Sequence, residues 1–437
     1  MMNQILRAIA RIGKGLPALA LVFFISGAAW AADEATLQRM EEIIQKQQAQ
    51  IEAQARAIEK LQQQVEALGA SAVREATVPP KQETAKSEVP PSVVKASSDK
   101  MSLKLYGQVN KAFLASDDGN TRDSYIVDND NSSSRVGFLA TSNVAGDVTV
   151  GARGEWEYQD NPSNLINQDD KSMSGSLDSR WVDAQITSQR FGKLYIGKGD
   201  TASNNTSEVD LSGTSVVGYA SVADMAGGLL FYDKNTDQLS GTRIGSVFSD
   251  FDGLSRQTRL RYDTPTFGGF YLAGSLDDEG AKDVALNYAA KWGEDFTFAA
   301  ALAYADPQKT YATIDNQYNG SASILHSSGV SLTVAAGLQE FDDNQRHDAT
   351  FMYGKVGYRH QFFDFGETRF SLDYALNEKV AQNGDEAESV GLQLVQDIPD
   401  WGSEYYLGYR WHRLDRDRGN VDFDDINALM TGVRVKF

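Results

Sequence analysis

From Met101 onward, apolar side chains recur at every second position. Val148, Val150, Ala152, Gly154, Trp156 and Tyr158 alternate with Thr149, Arg153, Glu155 and Glu157. Phe296, Phe298, Ala300, Leu302 and Tyr304 form another such row, as do Val284, Leu286, Tyr288 and Trp292. Phe370, Leu372, Tyr374 and Leu376 face away from Arg369, Ser371 and Asp373, and Tyr405, Leu407, Tyr409 and Trp411 face away from Glu404, Arg410 and His412. A period of two puts alternate side chains on opposite faces of a strand. In a soluble sandwich the apolar face would be the core. Here the opposite face carries Arg, Glu, Asp and His in strand after strand, which predicts a water-filled interior with lipid outside. The last strand alternates to the final residue: Leu429, Thr431, Val433, Val435 and Phe437 share a face, with Arg434 and Lys436 on the other. An aromatic at that place suits a membrane interface.

The pattern predicts 16 strands, from about 102–114 to about 425–437. Connections alternate in length. Asn143 to Gly146, Arg190 to Gly192, Pro265 to Gly268, Ser328-Gly329 and Pro399 to Trp401 are tight, whereas 115–132, 160–177, 306–317 and 415–424 are long and polar. Short turns at one end and long loops at the other are the habit of outer-membrane barrels, with both termini on the periplasmic side. The connection 200–254 far exceeds ordinary loop lengths, and loops that long are usually functional. Its place after the fifth strand makes it the third loop at the long-loop end.

Ahead of the strands the period changes. Arg7, Arg11 and Lys14 precede an apolar run from Leu16 to Ala29, and Ala29-Trp30-Ala31 has the small-x-small form of a cleavage site, so 1–31 reads as a secretory signal. Leu37, Ile44, Ile51, Ile58 and Val65 then recur every seven residues, with Met40, Gln47, Gln54, Leu61 and Leu68 three places on. That spacing predicts a coiled coil over 32–69, roughly 50 Å long at 1.5 Å per residue. Such a helix buries its seam only against copies of itself, so it implies an oligomer. Pro79-Pro80 and Pro90-Pro91 mark 70–100 as an extended linker. The fold class is therefore an all-β transmembrane barrel over 101–437, preceded by a helical coiled coil.

Composition narrows the function. The net charge of −19 argues against a nucleic-acid partner. There is no cysteine, so disulfides and thiolate metal sites are excluded. His326, His347, His360 and His412 have no metal-ligand spacing. Asp128-Asn129-Asp130-Asn131 offers hard oxygens suited to Ca²⁺, but without the loop glycine and distant Glu of a known cation loop. It reads as a polar surface loop. No cofactor is expected.

Several segments resemble the general bacterial trimeric porin family. They are Leu105-Tyr106-Gly107-Gln108-Val109, Ser134-Arg135-Val136-Gly137-Phe138, Phe191-Gly192-Lys193-Leu194-Tyr195-Ile196-Gly197-Lys198, Arg261-Tyr262-Asp263-Thr264-Pro265-Thr266-Phe267-Gly268-Gly269-Phe270 and Gly432-Val433-Arg434-Val435-Lys436-Phe437. The resemblance covers the barrel, and the coiled coil and linker depart from the typical member. It implies a homotrimer in the outer membrane. It also implies a third loop folded into the lumen, with basic residues on the wall and acidic residues on the loop. By position, Arg135, Lys198 and Arg256 resemble the wall cluster. Strand parity independently turns Arg135, Arg259 and Arg261 inward, while Lys198 and Arg256 need a bulge or strand end to face in. Glu208 and Asp210 are the candidates for the acidic side, although the family's Pro-Glu-Phe-Gly-Gly loop motif is absent. Arg153, Glu155, Glu157, Asp373 and Arg410 are expected to line the lumen. Phe437 is, by resemblance, the signal read by the barrel-insertion machinery.

These readings converge on a passive channel for small hydrophilic solutes and ions, surrounded by outer-membrane lipid. Two alternatives differ in class. One is a tether that joins the outer membrane to peptidoglycan through the coiled coil. The other is a lipid hydrolase, which would need Ser and His on the lipid-facing surface.

Overall fold

The computed structural model describes residues 94–97, 101–308, 310–311, 313–343 and 345–437, all within one compact unit. The signal, the coiled coil and most of the linker lie outside the described residues. Among the described residues no helix is long and apolar enough to cross a membrane.

The chain forms one closed antiparallel barrel. Its strands, in chain order, are β2 (Met101–Asp117), β3 (Arg122–Asp128), β4 (Arg135–Ala145), β5 (Val148–Gln159), β6 (Ser176–Ser188), β7 (Gly192–Asp200), β10 (Arg256–Asp263), β11 (Phe270–Asp277), β12 (Lys282–Trp292), β13 (Phe296–Asp306), β14 (Ile314–His326), β15 (Val330–Phe341), β16 (Ala349–Phe363), β17 (Gly366–Glu378), β18 (Asp385–Ile398), β19 (Ser403–Arg416) and β20 (Ile426–Lys436). Outside the barrel proper are β1 (Val94–Ser97) and a hairpin of β8 (Leu230–Asp233) and β9 (Gln238–Arg243). β3 and β4 pair with successive halves of β2, at Lys111–Asp117 and Met101–Gln108, and so form one interrupted barrel strand. Counted this way the barrel has 16 strands.

The predicted strands and turns match these elements closely, with one exception. The expected long loop over 115–132 is a tight turn at Asp118–Thr121 followed by β3. The chain then dips inward over 129–134 before resuming as β4. Asp128-Asn129-Asp130-Asn131 therefore lies at a break in the wall and not on a surface loop. Asn129 donates from Nδ2 to the Val216 carbonyl at 2.7 Å.

Closure is made by β2 and β20, in register from Gln108–Lys436 to Asp117–Asn427. Beyond it, Gly107 N–H donates to the Phe437 carbonyl at 2.8 Å and Phe437 N–H donates back at 3.0 Å. β1 then takes over the same edge of β2, pairing Val94–Ser97 with Leu105–Ser102. An unpaired amide row facing lipid would cost several kcal/mol per group, so a spanning sheet must close in this way. The Phe437 ring lies across Gly107, where a Cβ would come 2.6 Å from it.

The lumen is not uniformly wet. The third loop folds inside and builds a dry core against β16–β20 and β2–β3. Val217, Met225, Leu229, Phe231, Ile244 and Phe248 of the loop bury themselves against Leu114, Phe351, Leu414, Ile426 and Met430 of the wall. Water is thereby displaced from one side of the interior, contrary to the expectation of an open polar bore.

Gly107→Val should drive a side chain into the Phe437 ring and open the seam. The expected result is a lower yield of folded, heat-modifiable barrel in the outer membrane. Gly274→Val, where a Cβ meets nothing nearer than 3.7 Å, should give normal yield. Equal yields from the two variants would mean that the aromatic seat does not hold the seam.

Candidate pore constriction

Two charged surfaces meet in the part of the lumen left beside the dry core. The first is the inward face of β4–β7 and β10. Alternation turns Arg135, Arg153, Glu155, Glu157, Asp183, Arg259 and Arg261 inward, because their neighbours Val136, Val182, Leu260 and Tyr262 are exposed on the other face. A β-bulge adds one more residue. The β5–β6 register steps from Glu155–Trp181 to Trp156–Ser179, leaving Arg180 unpaired. Bulges re-aim side chains in this way. Arg180 points inward, donating to Glu155 at 2.8 Å and to Glu157 at 2.7 Å. Residue alternation by itself does not reveal it.

Each arginine has a distinct setting. Arg135 lies 3.8 Å from Glu155 and within electrostatic reach of Arg180, Arg256 and Arg434, each of which has a closer carboxylate partner than Arg135 has. Arg153 pairs with Asp183 at 2.8 Å and stacks over Trp181, 3.9 Å from its ring centre. Arg256 turns inward at its strand end to meet Asp200 at 3.0 Å. Arg261 donates to Asp263 at 2.8 Å and to the Thr201 carbonyl at 2.6 Å. Arg259 is different, being only 3% exposed. It donates to Asp183 at 2.9 Å, to the Asp200 carbonyl at 2.9 Å and to the Gly197 carbonyl at 2.8 Å. Gly197 has a φ of +118°, so Arg259 fastens a kink that a side chain would resist. Its inward direction agrees with parity, but it is a brace in the wall and not an open charge.

Lys198 does not join this cluster. It sits in register between Val182 and Thr258, on the outward face with Leu194 and Ile196. No bulge turns it inward, and the family correspondence fails at that position.

The second surface is the loop. Its outgoing limb is hydrogen-bonded to one inward strand after another. Ser203 N–H donates to Asp283 of β12 at 2.8 Å. Val209 and Leu211 N–H donate to Ser321 and Ser323 of β14 at 2.9 and 3.0 Å. Thr214 shares a 2.7 Å hydroxyl contact with Ser371 of β17. On the returning limb the Phe251 carbonyl accepts from Gln317 Nε2 at 2.7 Å, and the Ser249 carbonyl accepts from Asn377 Nδ2 at 2.6 Å. The hairpin β8–β9 continues into the last long-loop segment, where Lys234 N–H donates to the Asp422 carbonyl at 2.9 Å.

Asp210 belongs to this anchoring and not to the acidic face of the pore. Its carboxylate meets Lys355 Nζ of β16 at 2.7 Å, with both side chains nearly fully buried. Lys355 also donates to the Gly218 carbonyl at 2.7 Å. Burial would raise the Asp210 pKa, but the Lys355 ammonium and the Ser212 N–H more than offset this and hold it below the usual carboxylate range. Asp373 and Arg410 are likewise covered. They form a two-point ion pair at 2.8 Å, each side chain fully buried beside the loop. The expectation that they line open water is corrected by the core above them.

Glu208 keeps partial exposure and lies among other carboxylates of the loop. Burial, followed by the neighbouring Asp252, Asp250 and Asp224 carboxylates, pushes its pKa well above the ordinary glutamate range. Asp252 is raised for the same leading reason, with Arg256 opposing. Asp224 is raised by burial and then by Asp130, despite the hydrogen bond from Tyr219. The loop thus presents clustered carboxylates, of which Asp252 is within electrostatic reach of Arg256 on the wall.

A closed barrel of 16 strands with an inward loop and opposed charges defines a transmembrane channel of the outer membrane. The Gram-negative porin family model matches residues 85–419, and the chain belongs to that family. Solved structures share the fold at low identity. The loop L8 deletion mutant of OmpT, an outer membrane protein of Vibrio cholerae, is 16% identical with a TM-score of 0.52, over 78% of this chain and 100% of its own. An anion-selective porin from Comamonas acidovorans is 15% identical with a TM-score of 0.52, over 77% and 100%. Salmonella typhi OmpF, in complex with daunomycin, is 13% identical with a TM-score of 0.50, over 79% and 100%. No curated protein sequence matches the chain.

Lys355→Met should leave the Asp210 carboxylate buried without its partner. Breaking one side of such a pair typically costs about 3–5 kcal/mol. The loop should then be cut faster by added protease, and single-channel current should become noisier. The double change Lys355→Met with Asp210→Leu should recover most of the protection. Unchanged cleavage in the single variant would show that other bonds suffice to seat the loop. Because the Asp210 pKa is depressed on folding, its contribution is present above the ordinary carboxylate pKa and is lost as pH falls through the lowered value.

Proposed function

We propose that the chain is a passive outer-membrane diffusion channel for small hydrophilic solutes and ions, and that it self-associates as a homotrimer. One observation carries the diffusion reading. Beside the dry core, the wall arginines retain partial solvent exposure: 13% for Arg135, 17% for Arg153, 15% for Arg180, 24% for Arg256 and 14% for Arg261. They lie on the side of the lumen where the loop displays Glu208, Asp224 and Asp252. Opposed charges across a confined aqueous slot set up a transverse field that orders water and aligns polar solutes. Arginine suits the wall because its guanidinium stays charged and holds a fixed orientation.

Selectivity in this reading rests on partly exposed charges without a close carboxylate partner, chiefly Arg135, whose nearest ion pair is 3.8 Å long. A lipid hydrolase would need its histidine on the lipid-facing surface. His412 lies fully buried inside the barrel, its ring edge-on to Phe248 of the loop, while His360 is exposed among the rings of Tyr358 and Phe362. The tether reading depends on segments outside the described residues.

Arg135→Ala should shift the reversal potential under a salt gradient toward cations, because a fixed positive charge is lost where screening over about 8 Å is incomplete. Arg418→Ala, in an exposed loop, should shift it much less. Arg259→Ala should lower barrel stability with little effect on selectivity, since its charge is enclosed and matched. Equal shifts from Arg135→Ala and Arg418→Ala would place the selective region elsewhere.

Acidification should move the reversal potential toward anions. The raised pKa values of Glu208, Asp224 and Asp252 mean that these carboxylates take up protons before ordinary ones, while the arginines stay charged. Ionised groups with raised pKa values oppose the folded loop, so their protonation also seats it more firmly until Asp210 titrates. Planar-bilayer recordings at successively lower pH read this directly. Glu208→Gln with Asp252→Asn should shrink the response, and an unaltered response would assign it to other groups.

A further inference from the structure

An apolar groove and a polar pocket lie side by side at the short-turn end of β11–β17, the end that faces the periplasm in such barrels. The groove is on the outer wall. It has a volume of about 340 Å³, with Phe270, Tyr288, Trp292, Phe298 and Leu302 around it and Ala300 as its floor. The aromatic side of the groove is preformed. Phe298 stacks on Trp292 with ring centres 4.8 Å apart, and Tyr288 lies 4.2 Å from Phe270 and 5.6 Å from Phe298. Trp292 Nε1 donates to the Tyr288 hydroxyl at 2.8 Å. An interfacial tryptophan ordinarily keeps its polar edge among headgroups. Here that edge is taken by a neighbouring side chain, which locks the rings together. Ala300 stands opposite Ala322 in register, so the floor stays low. From Trp292 to Leu286 the groove follows β12 for roughly 20 Å, at about 3.3 Å per residue.

The pocket, of about 330 Å³, opens at the rim among the turns that follow β12, β14 and β16. His326 joins it to the groove. Its ring lies 4.8 Å from that of Phe296, which stands opposite Trp292 in register. Ser328 N–H donates to His326 Nδ1 at 3.1 Å, so in the neutral ring Nε2 carries the proton and is a donor. Ser327 bonds twice to Asp295, from its N–H to the carbonyl at 2.7 Å and from its hydroxyl to the carboxylate at 2.9 Å. The histidine turn and the carboxylate turn are thereby held together. Arg359 is 33% exposed, with Glu367 no nearer than 3.7 Å, because Arg369 claims that carboxylate at 2.7 Å. Arg359 thus keeps capacity for an anion, while Glu294 and Asp295 present exposed carboxylates to the same pocket.

We propose that the pocket and the groove together bind one phospholipid of the inner leaflet, with a phosphoethanolamine headgroup at the rim and an acyl chain laid along Trp292 and Ala300. Surrounding lipid tails are as apolar as the groove, so the chain gains little hydrophobic energy by entering it. Selection therefore falls to the headgroup. Arg359 and the His326 Nε2–H meet the phosphate, and Asp295 and Glu294 accept from the ammonium, in charge-assisted hydrogen bonds. Carboxylates beside the cation disfavour an anionic lipid. Their need for a donor disfavours a quaternary amine, which has no N–H. The adjoining groove selects a lipid over the free headgroup. This site needs only that the barrel stands in a bilayer, whatever passes through its lumen.

Lipids brominated on the chain quench tryptophan on contact. Trp292 is one of six tryptophans, so its share is read as the difference between the full chain and its Trp292→Phe variant in phosphatidylcholine vesicles. Brominated phosphatidylethanolamine, as a minor fraction of the lipid, should quench Trp292 several-fold more than the same fraction of brominated phosphatidylcholine or phosphatidylglycerol. Ala300→Phe fills the groove and should remove the excess. Arg359→Gln with Asp295→Asn, which leaves the outer wall intact, should remove it as well. Equal quenching by the three lipids would overturn the proposal and leave ordinary lipid contact. An excess that survives both variants would also overturn it, since the lipid would then sit elsewhere. An equal excess for phosphatidylglycerol would mean that phosphate alone is read and would overturn the headgroup. Loss of the excess on adding an equal amount of free glycerophosphoethanolamine would overturn the lipid as occupant.

Discussion

Every backbone amide and carbonyl at membrane depth needs a partner within the protein, and the rest of this structure depends on that requirement. It forces β2 onto β20, continues through the paired Phe437 and Gly107, and lets β1 take over the remaining edge of β2. Once the sheet is closed, alternation has two meanings only, inward or outward. The inward row is then free to carry arginines and carboxylates, because a wall of apolar side chains separates them from lipid.

The same requirement governs the loop inside. A chain of some fifty residues cannot lie in a barrel with its own polar groups unmatched. The inward faces it crosses answer this with small hydroxyl and amide side chains. Ser321, Ser323 and Ser371 sit beside the outgoing limb, and Gln317 and Asn377 beside the returning one. Alanines at 299, 301 and 303 on β13 leave it room. Its apolar residues then pack against Phe351, Leu414 and Met430, and a dry core fills one side of the lumen. What remains is a slot bounded by β4–β7 and β10, where arginines are concentrated.

Around the whole wall, burial separates enclosed charges from those that water reaches. Arg259 and Arg410 are enclosed and matched by carboxylates, so they brace the wall. Arg135 has a weaker match and stays partly open to water. The loop carboxylates are held close together away from bulk water, which makes their ionisation costly and their charge sensitive to pH.

How much was legible in the sequence follows from the range of each interaction. Strand positions, tight turns, the parity of Arg135 and Arg259 and the barrel class were all readable, because side-chain alternation is a local property of the backbone. Strand count and connection length placed the long third loop. The failures share one cause. Arg180 turns inward because a single extra residue breaks the alternation, while Lys198 stays outward because no such break reaches it. Asp210 was read as a pore acid, yet it is claimed by Lys355, 145 residues away in sequence. A signal for the loop's path was present in the Ala, Ser and Thr rows on the inward faces of β13–β15, since small side chains leave space that something must fill. Which strands the loop would cross, which charges it would bury and which it would leave in water depend on contacts between distant segments. Periodicity does not encode those contacts, and only the closed barrel decides them.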